Sequence, residues 1–211
     1  MSGPEPPAAA DLQPQVFLLS PASLAGVRAR RLASPRARFP AAERFRGPEG
    51  VPLDEAYSFL SALYFRGKIA YARRFARPPA ELAAAGGIFV IAPGFGLVPP
   101  DWALTPERWR RLRRTPIDVR SRAYARPLVA QAAALAERLG GGRAVLLGSV
   151  ATGKYVDLLL PLFGARLRFP RCFAGLGDMS RGSLLLRAAA SGVELDYAGL
   201  DEPRRRPRTA P

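Results

Sequence analysis

The stretch of residues 143–164, RAVLLGSVATGKYVDLLLPLFG, contains the residue types best suited to chemistry. A short apolar run leads into a loop bounded by Gly148 and Gly153, and Lys154 follows at the start of a helical pattern. The spacing Gly-x-x-x-x-Gly-Lys is typical of loops whose backbone amides surround a phosphate at a helix N-terminus. We therefore predict an anion-binding loop, with ligand contacts from Gly148, Ser149, Thr152, Gly153 and Lys154.

Three features of this loop argue against a nucleoside triphosphatase. Tyr155 stands where a magnesium-binding Ser or Thr is expected. The loop follows the third predicted strand, whereas the motif normally follows the first. Downstream, only residues 193–196 resemble a strand that ends in a metal-binding carboxylate. None of these three features argues against a loop that binds an anion without hydrolysing ATP. No metal site is predicted. A tight strand-to-helix turn that needs glycine for structural reasons alone is the alternative.

The two lysines are informative because the chain otherwise uses arginine. Of 32 Lys and Arg residues, only Lys68 and Lys154 are lysine, and both follow a glycine. A compact ammonium differs from a forked guanidinium in reach and hydration, so both positions favour a specific need for lysine. The alternative is that the two lysines occur at these positions by chance, without a specific role. We predict that Lys68 contributes to the same ligand site as Lys154.

Two aspartates and an arginine complete the predicted site. Asp101 ends a Gly/Pro-rich loop, and Asp178 lies in a second glycine-rich loop that also holds Arg181. The chain has no histidine, so acid/base chemistry would depend on Asp, Glu, Lys or Tyr. We predict Asp101 and Asp178 as candidate catalytic carboxylates and Arg181 as a ligand-binding residue. A helix-capping role for Asp178 is the alternative. The sequence indicates neither a reaction nor a cofactor.

Composition narrows the possible functions. Without histidine, the chain contains no Ser-His-Asp triad, no Cys-His pair and no HExxH zinc site. The single cysteine, Cys172, excludes an internal disulfide. A formal charge of +15 favours an anionic partner, either nucleic acid or a phosphorylated small molecule, although arginine codon bias contributes to it. No apolar run has membrane-spanning length and no secretion signal is recognisable, so we predict a cytoplasmic protein without membrane contact.

Strand and helix patterns alternate along the chain. Four apolar runs predict strands at residues 16–19, 88–92, 144–147 and 167–169. The longest helical pattern covers residues 54–76, with a break or a kink expected at Gly67. Thr105 is expected to cap a helix over residues 107–114. The pattern predicts an α/β fold, a single domain with an open, mainly parallel, Rossmann-like sheet of about four strands flanked by helices. Loops at the carboxyl ends of the strands would then form one ligand cleft.

The two ends of the chain differ in composition from the middle. Residues 1–14 are rich in Pro and Ala and are predicted to form a disordered leader. Residues 15–199 are predicted to form the single α/β domain. Residues 200–211 are predicted to form a disordered basic tail. Arginines in this tail and in residues 108–114 would add electrostatic affinity for nucleic acid.

Four short motifs occur in an order that resembles an uncharacterised group of bacterial α/β domains and, more distantly, the YaaA peroxide-stress proteins. They are Tyr64-Phe65-Arg66-Gly67-Lys68, Gly96-Leu97-Val98-Pro99-Pro100-Asp101, Gly153-Lys154-Tyr155 and Gly175-Leu176-Gly177-Asp178. Residues 92–95, Ala-Pro-Gly-Phe, depart from the Ser-Ala-Lys that the group tends to have. The resemblance covers residues 15 to 190 and implies a DNA- or nucleotide-associated role without a settled reaction.

Two hypotheses of different class follow from the sequence. The first is a nucleotide- or nucleic-acid-linked protein with an anion-binding loop at residues 148–154, acting as an enzyme on a nucleotide or a base. The second is a noncatalytic domain that binds nucleic acid or a phosphorylated ligand through Lys154 and arginines. Carboxylates close to Lys154 in one cleft would favour the enzyme, whereas a flat arginine-covered face would favour the binding domain.

Overall fold

The structure is a computed structural model, and it describes residues 13–61 and 63–200. The predicted leader and the predicted basic tail lie outside the described residues, apart from residues 13, 14 and 200.

The described residues form eight strands and eight α-helices. The strands are β1 (Gln15–Leu19), β2 (Val51–Pro52), β3 (Ile88–Ala92), β4 (Gly96–Val98), β5 (Ala103–Leu104), β6 (Arg143–Leu147), β7 (Leu167–Pro170) and β8 (Tyr197–Gly199). The helices are α1 (Val27–Leu32), α2 (Pro40–Arg46), α3 (Leu53–Ser61), α4 (Leu63–Phe75), α5 (Pro106–Arg114), α6 (Arg122–Leu139), α7 (Gly153–Phe163) and α8 (Asp178–Ser191).

Six strands form one mostly parallel sheet in the order β4-β3-β1-β6-β7-β8. β1 pairs in parallel with β3 and β6, and β6 pairs in parallel with β7. The edge strands β4 and β8 are antiparallel to their neighbours. The α/β class and the mainly parallel sheet are therefore confirmed. The predicted number of about four strands is too low, because the three-residue edge strands are too short to show a periodic pattern.

Alternating side chains of the central strands bury both faces of the sheet. On one face, Phe17, Leu19 and Val145 pack in a core with α3, α4 and α8. On the other face, Val16 and Leu18 pack with α6 and α7. Two layers of helices cover the parallel strands, which explains why those strands are continuous apolar runs in the sequence.

Gly67 allows a close helix crossing and does not break a helix, contrary to the sequence prediction. α4 runs without interruption through Gly67. A Cβ atom at this position would lie 2.6 Å from the carbonyl oxygen of Gly182 in α8. The predicted pattern over residues 54–76 is helical in both described parts, Leu53–Ser61 and Leu63–Phe75. The crossing fixes the position of α8 against α4, and both helices contribute to the site described below.

Candidate ligand-binding cleft

A cleft opens where the order of the parallel strands reverses. The chain passes from β1 to β3 on one side and later returns to place β6 on the other side of β1. Open α/β sheets bind ligands beyond the carboxyl ends of their strands at such a reversal. Here the cleft has a volume of about 250 Å³. Its polar lining consists of Ser20, Ser23, Ser61, Tyr64, Ser149, Lys154, Tyr155 and Asp178.

The loops after β1 and β6 meet at the floor of the cleft. A Cβ atom on Gly148 would lie 2.9 Å from the Cβ of Ser20 and 3.2 Å from its Oγ. Gly148 is buried, so this glycine is needed for the close approach of the two loops. Its role is to place Ser20 beside the loop that leads to α7.

Lys154 supplies a positive charge to the cleft. Its side chain is half-buried, and Nζ lies 5.2 Å from the centre of the Tyr155 ring. The Tyr124 hydroxyl donates to the Lys154 carbonyl at 2.8 Å, which fixes the first turn of α7 against α6. Within the described part of the chain, Lys154 forms no ion pair. It is therefore available to an anionic ligand.

The other residues of the predicted anion loop differ in position. Ser149 lines the cleft, and its Oγ accepts a hydrogen bond from the Ala151 amide at 3.4 Å. Thr152 is exposed as the N-cap of α7, and its side chain makes no capping hydrogen bond. Gly153 is the first residue of α7, and the exposed Asp157 carboxylate lies against it. The Asp157 carboxylate already lies at the N-terminus of α7. The positive charge available to an anion is therefore that of Lys154 and not that of the helix terminus.

Lys68 lies beneath the cleft and is buried. Only 1% of the residue is exposed. Its Nζ donates to the Ser20 carbonyl at 2.6 Å and to the Ser20 Oγ at 3.0 Å, and it lies 4.5 Å from the centre of the Tyr64 ring. Burial lowers the pKa of Lys68 from 10.5 to about 7, against the opposing effect of Asp178. At neutral pH a large share of this side chain is therefore an uncharged amine.

Two tyrosines line the cleft, and both stay protonated at neutral pH. Burial raises the pKa of Tyr64 to about 12, against the lowering effects of the charge of Arg181 and of a hydrogen bond from its guanidinium. Burial also raises the pKa of Tyr155, and the neighbouring Tyr64 adds to this. The Tyr64 hydroxyl itself is enclosed by the protein, so its ring and not its oxygen forms the wall of the cleft.

Asp178 lines the cleft from α8, but it does not cap that helix. The N-cap is Gly177, Asp178 is the first helical residue, and its side chain is 72% exposed. Arg181 lies one turn later and donates to the Phe173 carbonyl at 3.0 Å, which fastens its guanidinium to the start of α8. Arg181 is not among the residues that line the cleft. Arg181 acts on the cleft through its ion pair with Asp178, at 3.8 Å, and through its lowering effect on the pKa of Tyr64.

Asp101 lies away from the cleft. It follows β4, which runs antiparallel to β3, so the chain reaches Asp101 at the amino edge of the parallel strands. The residue is exposed and does not contribute to the lining. The expectation that the Gly/Pro loop delivers Asp101 to the ligand edge is therefore wrong, because the short strand β4 reverses the direction of the chain within that loop.

Ser20 is the most consequential site residue that the sequence reasoning missed. It is the first residue after β1, lines the cleft and is 6% exposed. Its position directly after the first apolar run could have identified it, because a hydroxyl that directly follows a buried parallel strand lies at the ligand-binding edge of the sheet. Tyr64 packs in the buried core and also lines the cleft.

A second, wider groove of about 480 Å³ follows β3 on the same edge of the sheet. Gly94 forms part of its floor, and three arginines line it, namely Arg111, Arg122 and Arg126. Arg111 is held in place because it donates to the Gly94 carbonyl at 2.6 Å and stacks 4.4 Å from the centre of the Phe95 ring. Arg122 and Arg126 are exposed one turn apart on α6. We call this surface the arginine groove.

No protein-family model, curated protein sequence or solved structure matches the chain. The resemblance to the YaaA group therefore stays a prediction. Within residues 13–61 and 63–200, no group of three His, Cys, Asp or Glu side chains is arranged to hold a metal ion. Over the same residues, no helix combines the length and the hydropathy that a bilayer span requires.

Proposed function

We propose that the cleft binds a small phosphorylated molecule of the mononucleotide class, with the phosphate next to Lys154. One observation carries the proposal. Lys154, which has no ion-pair partner among the described residues, lies in a cleft at the reversal of strand order, where open α/β sheets bind nucleotides. A Rossmann-like description of the sheet and a cytoplasmic location are parts of the same proposal.

The lining of the cleft supports this class of ligand. Its volume of about 250 Å³ suits one small molecule and is too small for a nucleic-acid strand. The hydroxyls of Ser23, Ser61 and Ser149 offer donors and acceptors for a ribose or a base. Asp178 also lines the cleft, and its carboxylate is paired with Arg181 at 3.8 Å.

Titration calorimetry tests the proposal with AMP, inorganic phosphate and adenosine. The variants are Lys154→Ala and Lys154→Arg, and Arg187→Ala, on the exposed side of α8, serves as a charge-matched control. A charge-assisted contact contributes roughly 1.5–3 kcal/mol, so both Lys154 variants should weaken AMP binding about tenfold or more. Arginine fails because its broad, planar head does not fit the space of an ammonium beside Tyr155. Equal affinity in all four proteins would exclude the loop as the phosphate site.

Nucleic-acid binding by the arginine groove is a second candidate. One groove is lined by Arg111, Arg122 and Arg126, and guanidinium groups in a shared groove suit the phosphates of a nucleic-acid backbone. Binding of a short single-stranded oligonucleotide should then weaken steeply as salt increases. Arg122→Ala combined with Arg126→Ala should reduce the salt slope by about 1–2. The same pair of substitutions should leave AMP binding unchanged, which separates the two candidates.

A further inference from the structure

Ser20 and Lys68 form a pair whose geometry the binding of a phosphate does not require. Ser20 lines the cleft at the end of β1, and the Lys68 Nζ lies 3.0 Å from the Ser20 Oγ. The second contact of Nζ, at 2.6 Å to the Ser20 carbonyl, orients the amine toward the same residue. Gly148 packs directly against Ser20, so closely that a Cβ atom there would lie 3.2 Å from the Ser20 Oγ. A hydroxyl in a cleft with an amine behind it is the arrangement of an activated serine.

Burial and the lack of a paired carboxylate favour the neutral amine of Lys68, which can accept a proton. No carboxylate forms an ion pair with it within the described residues. The neutral Ser20, directly after β1, contacts Nζ, and the rings of Tyr64 and Phe65 on its own helix α4 act in the opposite direction, because their faces stabilise an ammonium. The charged group that acts on it from the facing helix is Asp178 of α8. In the neutral form Nζ keeps its hydrogen bond to the Ser20 carbonyl and turns its lone pair toward the Oγ–H.

We propose that Ser20 is a nucleophile and Lys68 its general base, and that the pair transfers an acyl group from an ester held in the cleft to water. The inference rests on the cleft as the ligand site, as in the proposed function, and extends it from binding to a reaction. Serine–lysine pairs replace the serine–histidine pair in other acyl-transfer sites, and a chain without histidine requires such a substitute.

The reaction balances with water as the only co-reactant. The Ser20 Oγ bonds to the ester carbonyl carbon while its proton passes to the Lys68 Nζ. The tetrahedral oxyanion then collapses, the bond to the alcohol oxygen breaks, and that oxygen takes the proton from Nζ. Water attacks the acyl-serine, with Lys68 again taking a proton. The proton returns to the Ser20 Oγ as the carboxylic acid leaves.

The test uses p-nitrophenyl acetate, which carries no phosphate and so does not depend on the proposed ligand. The full-length chain with Cys172→Ser is the starting protein, because the exposed thiol would otherwise react. Release of p-nitrophenolate is followed below and above pH 7, and peptide mass spectrometry locates the acetyl group. Ser20→Ala, Lys68→Met and Lys68→Arg are compared, with Ser191→Ala at the far end of α8 as the control. Circular dichroism verifies that each variant is folded.

We expect acetylation of Ser20 and a rate that rises with an apparent pKa near 7. Ser20→Ala should remove the part of the rate that depends on Ser20 and leave the background reaction of accessible amines such as Lys154. Either folded Lys68 variant should reduce the Ser20-dependent rate roughly a hundredfold, the usual contribution of a general base. Ser191→Ala should react like the starting protein. An acetyl group on Lys68, no acetyl group on Ser20, or an unchanged rate in a folded Lys68 variant would overturn the proposal. If AMP binding depends on Lys154 while Ser20 stays unacylated, the cleft binds its ligand without this chemistry.

Discussion

Gly67 and Gly182 face each other where α4 crosses α8, so closely that neither can carry a side chain. A Cβ atom on Gly67 would lie 2.6 Å from the Gly182 carbonyl oxygen, and one on Gly182 would lie 2.9 Å from the backbone of Leu63. The atoms in the way belong to the backbone and cannot rotate aside. The contact holds Lys68 and Tyr64 of α4 at a fixed distance from Asp178 of α8.

Alanine at either glycine should therefore destabilise the fold. We expect Gly67→Ala and Gly182→Ala each to lower the free energy of unfolding by about 1–3 kcal/mol, because the two helices must move apart. Gly141→Ala is the control, since its added methyl group would meet nothing within 4 Å. Urea denaturation measures all three variants. A stabilising effect of Gly67→Ala, as expected for alanine in an unhindered helix, would contradict the crossing.

The buried amine of Lys68 should make stability depend on pH. Its pKa is about 7 in the folded protein and 10.5 when unperturbed, so the unfolded chain binds more protons between these values. The free energy of unfolding should therefore rise with pH from about 7 toward 10.5, relative to Lys68→Met, which lacks the titrating group. Thermal unfolding of both proteins at several pH values in this range gives the difference in their stability. A difference that does not change with pH would show that Lys68 keeps an ordinary pKa.

Asp178→Asn separates a structural role of this residue from an electrostatic one. The exposed side chain makes no cap, so the free energy of unfolding should change by less than about 1 kcal/mol. Asp178 raises the pKa of Lys68, and its neutralisation should move the pH profile of Ser20 acylation to lower pH. Asp118→Asn, whose carboxylate pairs with Arg120 outside the cleft, is the control. An unchanged profile would mean that Asp178 does not act on Lys68.

Glu194 should contribute to stability in a pH-dependent way. Burial opposes its ionisation, but hydrogen bonds from Gln15, Arg77 and Tyr197 and the charge of Arg77 lower its pKa below 4.5. The Gln15 amide donates at 2.6 Å and the Tyr197 hydroxyl at 2.8 Å. Glu194→Gln should cost about 1.5–3 kcal/mol at neutral pH.

The sign of the Glu194 effect follows from its lowered pKa. The stabilisation is present above 4.5, the ordinary value for the unfolded chain, and disappears as the pH falls through the folded value. Wild type and Glu194→Gln should therefore converge in acid. Glu137→Gln, on the exposed side of α6, is the control and should have the wild-type free energy of unfolding at every pH. A difference between wild type and Glu194→Gln that persists in strong acid would argue for a packing effect in place of a charge effect.

The sequence predicted the parts of the fold whose signals are local. β3 matches the predicted apolar run over residues 88–92, and Thr105 caps α5 by accepting from the Arg108 amide at 3.4 Å. Lys154 and Asp178 reach one cleft because the carboxyl ends of parallel strands share an edge.

The errors concern contacts between distant segments. Gly67 had the local signature of a helix break, and only the approach of Gly182, more than 100 residues away, shows its role. The position of Asp101 depends on the pairing of β4 with β3. A strand of three residues is too short to give a recognisable pattern in the sequence. The contact between Ser20 and Lys68 depends on the packing of α4 against the end of β1.

The arginine-rich composition and the placement of the two lysines together give the molecule an unusual reactivity toward amine reagents. Apart from the terminal amine, the chain carries two primary amines, and the fold buries Lys68 while leaving Lys154 in the cleft. A water-soluble acylating or reductive-methylation reagent should modify Lys154 rapidly and Lys68 only when the protein unfolds. Protection of Lys154 would then report occupancy of the cleft, and exposure of Lys68 would report loss of the fold, in a single mass spectrum.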